Sequence, residues 1–266
     1  MATTTQVELA PISISPLNAG EGLLLSTAQD TAPPPEPPVN PVPSRLKTTA
    51  IILTLAGVNF TNSGTNGLVG VGLPAIADSL NLPPHLALWP ASASSLATAS
   101  TLLLCGSLAT ALGPRAVDLV GCFAAATLMA GAAGAQTGES FVALRALQGV
   151  ALAMHQASSV AIIVENLPRG RGRNVAFSCL GLSQPLGYSF GLVLGGVFVD
   201  TVGWRAGWYL YGGITLVLAV LGLWSLPARR QATEIEVLVR KLTSKVDWIG
   251  AALASCAMAS LSYLLA

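Results

Sequence analysis

The sequence predicts an all-α protein that crosses a membrane several times, and three observations carry that expectation. Of 266 residues, 52% are apolar and only 9% are charged, and the mean hydropathy is +0.65. Soluble domains carry roughly 25% charge, so a water-facing surface for a chain of this size is out of reach. The charges also lie between long uncharged stretches, at 48–77, 79–114, 119–138, 146–164, 174–199, 206–228 and 248–266. A spanning helix needs roughly 20 mostly apolar residues, and each stretch supplies them. Third, an N-terminus placed inside gathers Arg45, Lys47, Arg115, Arg169, Arg171, Arg173, Arg229, Arg230, Arg240, Lys241 and Lys245 on inner segments. Arg205 then lies outside and Arg145 within a span, as the inside excess of Lys and Arg requires.

In chain order, residues 1–46 read as a disordered, proline-rich cytoplasmic tail, 47–226 as six spans, 227–247 as a charged cytoplasmic linker, and 248–266 as the start of a seventh span. Gly22-Leu23-Leu24-Leu25 is too short for a signal-peptide core, so the first span is expected to act as the insertion signal. The tail's P-x-x-P spacings, Pro35/Pro38 and Pro38/Pro41, suit either an SH3-like partner or a solvated extended segment. Asn81-Leu82-Pro83-Pro84-His85 is a turn before a span beginning near Trp89, and Leu112-Gly113-Pro114-Arg115 is the next turn. The linker reads as an amphipathic helix on the inner leaflet or as a plain connector. A net charge of +1 carries no basic excess for nucleic acid. Cys105, Cys122, Cys179 and Cys256 all fall within expected spans. They offer neither a disulfide framework nor a zinc spacing, and no metal site is expected.

Polar residues mark the faces that avoid lipid. Asn59, Asn62 and Asn66 recur at i, i+3 and i+7 with Ser63 beside them, which puts three amides on one helical face. Unpaired amides in lipid are costly, so this face should bond to other helices or line a substrate cavity. Arg145, Gln148, Leu152, Gln156 and Ser159 make a second stripe on the fourth span. Arg145 either faces the cavity as a proton or substrate site or snorkels outward. His155, slightly off the stripe, is a buried neutral histidine or a proton carrier. In the fifth span Pro185 removes a backbone donor beside Gln184, and Gly187, Gly191, Gly195 and Gly196 offer a surface for close helix approach.

These motifs resemble the N-terminal half of a major facilitator superfamily transporter, most of all the fungal-type, fourteen-span drug/proton antiporter branch. The resemblance covers about residues 48–266. Gly106-Ser107-Leu108-Ala109-Thr110-Ala111-Leu112-Gly113-Pro114-Arg115 is similar to the superfamily loop G-x-L-A-D-R-x-G-R-R/K, matching at Gly106, Leu108, Ala109, Gly113 and Arg115. Thr110 stands where the family has an Asp that latches the two halves together. Asp118 either substitutes for it or is an acid favoured by a helix N-terminus. Arg145-Ala146-Leu147-Gln148-Gly149 resembles the fourth-span motif R-x-x-Q-G, whose Arg is implicated in proton coupling. The run 181–196 resembles the fifth-span antiporter motif, with Gln184-Pro185 for the usual Gly-Pro. Asp200-Thr201-Val202-Gly203-Trp204-Arg205 and Val246-Asp247-Trp248-Ile249-Gly250 resemble the junctions into spans six and seven.

The resemblance implies a six-helix bundle of two three-helix inverted repeats plus a truncated seventh span. It also implies proton-coupled efflux of small organic molecules, with the proton as coupling ion and no other cofactor. Arg145 is then the proton-coupling residue. Asn59, Asn62, Asn66, Gln148, Gln156, Ser159 and Gln184 line the substrate cavity. Gly106, Gly113, Arg115, Asp118, Pro185, Gly187, Gly191, Gly195 and Gly196 form the conformational motifs. Lipid, a small organic substrate, and a missing C-terminal bundle or second chain are the expected partners, in a plasma or vacuolar membrane. The alternative is a non-transporting half-bundle or truncated relic that acts only by pairing with another membrane chain, through a face that includes Gly191. An enzyme is not expected. A rhomboid-type protease would need a histidine after Ser183, whereas His85 and His155 both precede it, and no phosphate-binding Gly-Lys-Ser/Thr loop is present.

Overall fold

A computed structural model describes residues 44–226 together with Gly250, Leu253, Cys256, Ala257 and Ser260, these last five in helical conformation. The proline-rich tail, the linker and most of the expected seventh span lie outside the described residues.

Helix α1 spans Arg45–Ser79 and opens at Ser44, whose hydroxyl accepts from the Lys47 N–H at 3.4 Å. That satisfies one of the donors a helix start leaves unpaired. The expected turn follows, with Asn81 at φ 49° and a 3-10 turn at Pro84–Leu86. Helix α2 covers Trp89–Leu112 and α3 covers Pro114–Ala133. One residue separates them, Gly113 at φ 96°, a left-handed conformation that needs glycine, and Pro114 then suits the first turn of α3. Helix α4, Gly138–Asn166, is capped by Thr137, whose hydroxyl accepts from Ser140 N–H. Helices α5, Arg171–Thr201, and α6, Trp204–Ser225, complete the set.

Helix α1 packs chiefly on α5 and then α6, α2 on α4, α4 on α3, and α3 on α6. Exchanging the triplet α1–α3 for α4–α6 converts α1/α5 into α4/α2, converts α1/α6 into α4/α3, and leaves α3/α6 unchanged. The packing scheme is therefore that of two equivalent three-helix units. Units with an odd number of spans must run oppositely through the membrane.

Helices α2 to α6 are each long and apolar enough to cross a bilayer. Helix α1 is the longest at 35 residues, yet its Asn59, Thr61, Asn62, Ser63, Thr65 and Asn66 dilute its hydropathy. It is a span by length and by its place in the bundle. Large apolar side chains such as Leu53, Leu103, Phe190, Val193 and Val217 point outward, as a lipid-facing surface requires. Between α1 and α5 the backbones touch: a Cβ on Gly187 or Gly191 would collide with the Phe60 or Gly64 carbonyl, and one on Gly67 with the Tyr188 carbonyl. Between α2 and α4 the same role falls to Gly149, whose Cβ would collide with the Ser94 carbonyl.

Candidate functional site

Two buried polar clusters join the helices, the first on α1, α2 and α4 and the second on α1, α3 and α4. The first centres on Arg145, fully buried on α4. Its Nε donates to the Pro90 carbonyl at 3.0 Å, Nη1 to Gln148 Oε1 at 3.1 Å and Nη2 to Asn66 Oδ1 at 2.7 Å. The Trp208 ring lies under the guanidinium, 5.3 Å from its carbon to the ring centroid, within cation–π range. No carboxylate among the described residues lies within ion-pair distance of Arg145. Dipoles and a ring face alone hold its charge. Gln148 continues the network, its Nε2 donating to Thr65 Oγ1 at 3.1 Å and to Asn62 Oδ1 at 3.4 Å. Arg145 therefore does not snorkel. It ties α4 to α1 and α2 at once.

Asn59, the third amide of the α1 stripe, looks elsewhere. Its Nδ2 donates to the Leu180 carbonyl at 3.1 Å and to Ser183 Oγ at 3.0 Å, and its Oδ1 accepts from Gln184 at 3.4 Å. Ser63 Oγ donates to the Gln184 carbonyl at 2.7 Å. Helix α1 thus grips α5 on the turn that precedes Pro185.

The second cluster joins α3 and α4. Asp118 and His155 are both fully buried, and His155 Nδ1 lies 2.9 Å from Asp118 Oδ1. His155 Nε2 is 3.1 Å from the Leu55 carbonyl of α1. A carbonyl only accepts, so Nε2 carries a hydrogen. Cys122, one turn beyond Asp118, lies 3.5 Å from Nδ1 and 3.8 Å from Asp118 Oδ2. These three donors lie close together, but a zinc ion with bonds of about 2.0–2.1 Å would hold nitrogen and oxygen roughly 3.3 Å apart. At the shorter separation found here the two atoms share a hydrogen bond.

Several expected site residues fall elsewhere. Ser159 does not line a cavity with Gln156. Its Oγ donates to the His155 carbonyl at 2.6 Å and lies 3.3 Å from Nε2, inside the second cluster, because residues i and i+4 share a helix face. Asp118, one turn into α3, is buried and bonded to His155, so its carboxylate is already engaged within the bundle. Asn59, Asn62 and Gln148 are buried and paired with protein groups. Gln184 is exposed and Gln156 half-buried. A Cβ on Gly106 or Gly196 would meet nothing within 4 Å, so neither glycine is required for close packing here. Arg115 Nη2 donates to the Leu223 carbonyl at 2.9 Å, capping the end of α6. The Asp118–His155 pair itself escaped the sequence reading, which weighed each residue alone. Their helices are neighbours in the chain, and both side chains sit one turn from a second cluster member, Cys122 or Ser159.

Residues 55–266 match the family profile of the Major Facilitator Superfamily. "MFS-type transporter 1" of Pyricularia oryzae is 36% identical over 94% of this chain and 46% of its own length. "Major facilitator superfamily multidrug transporter mdr3" of Aspergillus fumigatus is 26% identical over 89% of this chain and 45% of its own length. "Puromycin resistance protein pur8" of Streptomyces alboniger is 34% identical over 68% of this chain and 35% of its own length. The chain spans less than half the length of each of these relatives.

Proposed function

The chain belongs to the Major Facilitator Superfamily, and we propose that it forms the first bundle of a proton-coupled exporter of small organic molecules. The observation that carries this reading is Arg145, a permanent charge buried with no acid within ion-pair distance among the described residues and tied to three helices. Such a residue is expensive to place in a bilayer. Its presence there fits a role in the conformational cycle. Arginine holds its proton at all working pH values, so its part in coupling is to position and polarise, not to carry. The amide left to meet substrate is Gln156, because Asn59, Asn62, Asn66, Gln148 and Gln184 are bonded to protein partners. A neutral or weakly charged organic substrate fits amide chemistry of this kind. Two relatives bear names of drug transport or resistance, which supports export as the direction.

The test is Arg145→Ala in the complete transporter, assayed for efflux driven by an imposed proton gradient. Loss of gradient-driven efflux with retained substrate binding is expected. Unchanged efflux would remove Arg145 from the mechanism. The remaining partner is a second bundle, in the same polypeptide or another one, seated against α2 and α5, the two least buried of the apolar spans. Gly191 is not part of that face, since it is already buried against Gly64. The N-terminus is cytoplasmic in this reading, and the plasma membrane is the expected location.

A further inference from the structure

We propose that Asp118 and His155 form a proton-binding site, whose proton holds α1, α3 and α4 together and whose release lets them part. The inference deepens the proton-coupled reading above and rests on it for its physiological use. The argument is one of hydrogen count. The Leu55 carbonyl fixes the hydrogen on His155 Nε2. Nδ1 then faces Asp118 Oδ1 at 2.9 Å. If neither atom carried a hydrogen, two lone pairs would meet at hydrogen-bond distance, with one uncompensated negative charge fully buried. One proton on that edge removes both problems, seated on Nδ1 so that His⁺ faces Asp⁻. The packed arrangement described here is therefore the proton-loaded one, and the cluster is then neutral overall.

The neighbourhood offers no substitute for that proton. Among the described residues the titratable group within hydrogen-bonding reach of the pair is Cys122 of α3, whose S–H faces Asp118 Oδ2. Helix α1 presents the Leu55 carbonyl and α4 its own Ser159. Arginines on these and the neighbouring helices are engaged elsewhere: Arg115 with Leu223, Arg145 with Asn66, Arg173 with Val164 and Leu167, and Arg205 with Ala135. Arg45, Lys47 and Asp78 sit near the ends of α1, Glu139 and Glu165 near those of α4, and Arg171 and Asp200 near those of α5. When the proton leaves, it goes to water admitted as α3 and α4 separate. His155 then loses its aim at Leu55, so α1 is released with them. Binding runs the same steps backward, and occupancy is coupled to helix position because only the closed arrangement holds the proton on two atoms.

The decisive variant is Asp118→Asn. An asparagine amide donates to a bare Nδ1 while Nε2–H keeps the Leu55 carbonyl, so the cluster is satisfied with no exchangeable proton on the edge. The chain, reconstituted in lipid nanodiscs without substrate, would be followed by amide hydrogen exchange of the α1, α3 and α4 segments from acidic to alkaline pH, corrected for intrinsic exchange. Histidine-labelled NMR, with His85→Gln to assign the two histidines of the chain, reports the hydrogen on Nδ1. The wild-type chain should show an Nδ1–H and several-fold loss of protection around Leu55 and His155 as pH rises. Asp118→Asn should show a bare Nδ1 and flat, high protection. Wild-type protection as flat as the variant's, a pH response that persists in Asp118→Asn, or a bare Nδ1 in the wild type would each overturn the proposal. Because no substrate or efflux enters the measurement, its failure leaves the export reading standing, and loss of the export reading leaves this measurement interpretable.

Discussion

Arg115 and Arg205 each occupy the second position of a helix, and each donates to carbonyls at the far end of the other's helix. Arg115 of α3 reaches the Leu223 carbonyl of α6 at 2.9 Å, while Arg205 of α6 reaches the Ala135 carbonyl just beyond α3 at 3.1 Å. Each of their helices starts directly after a glycine of positive φ, Gly113 at 96° and Gly203 at 89°. This is the two-unit symmetry of the bundle reduced to a pair of side chains. It satisfies carbonyls that a helix terminus leaves without donors and sets a cation where the helix dipole favours one.

Replacing either arginine by alanine should therefore lower stability by about 1 kcal/mol for a half-exposed charged hydrogen bond, read as a lower thermal midpoint in detergent. The two sites lie at opposite ends of α3, a helix roughly 30 Å long, so the double variant should show the sum. A double variant no worse than either single one would mean that the arginines act as one unit.

The glycines of α5 should separate by sign. Gly191→Ala drives a methyl into the Gly64 backbone, which has no flexible side chain to yield, and should cost about 1–3 kcal/mol of stability as overpacking does. Gly196→Ala meets open space and should leave stability unchanged or raise it by up to ~1 kcal/mol, since alanine restricts the unfolded helix. Equal losses in both variants, read by thermal unfolding, would place the seam elsewhere on α5.

The uncharged stretches and the Gly113 and Asn81 turns were legible in the sequence because bilayer length and backbone conformation are local properties. The pairing of helices was not. Gly113-Pro114-Arg115-Ala116 and Gly203-Trp204-Arg205-Ala206 carry a readable trace of the repeat, but four residues in two copies gain meaning only once α3 and α6 are seen side by side. Periodicity placed Asn59, Asn62 and Asn66 on one face correctly, yet their partners lie on α5 and α4, more than 75 residues away in the chain. A stripe shows which residues avoid lipid. It does not show whether they meet a ligand or one another.

That distinction is measurable at Asn59 and Gln156. Asn59→Ala removes two donated bonds to α5 and strands buried acceptors, so it should destabilise the bundle by about 1–3 kcal/mol while leaving the order of substrate preference intact. Gln156→Ala touches no hydrogen bond described within the bundle. It should leave the unfolding midpoint in place and raise the apparent KM for efflux in the complete transporter. A shift of stability at Gln156 without a change in KM would reverse the assignment.

Arg145→Lys asks whether charge or geometry matters in the first cluster. A charge-only role predicts that lysine restores what alanine removes. The fork of Arg145 donates in three directions, to Pro90 on α2, Gln148 on its own helix and Asn66 on α1. An ammonium is compact and cannot reproduce that planar spread. Lysine would leave at least one of these oxygens without its donor, at about 1–3 kcal/mol for each buried group stranded, and would lose the stacked contact with Trp208. Arg145→Lys should thus resemble Arg145→Ala in gradient-driven efflux, with both falling at least tenfold, the factor that each 1.4 kcal/mol represents. The comparison is made in vesicles holding equal amounts of folded protein, which separates lost coupling from lost stability. Full efflux from the lysine variant would show that a positive charge beside Trp208 is sufficient and that the three-helix bridge is dispensable.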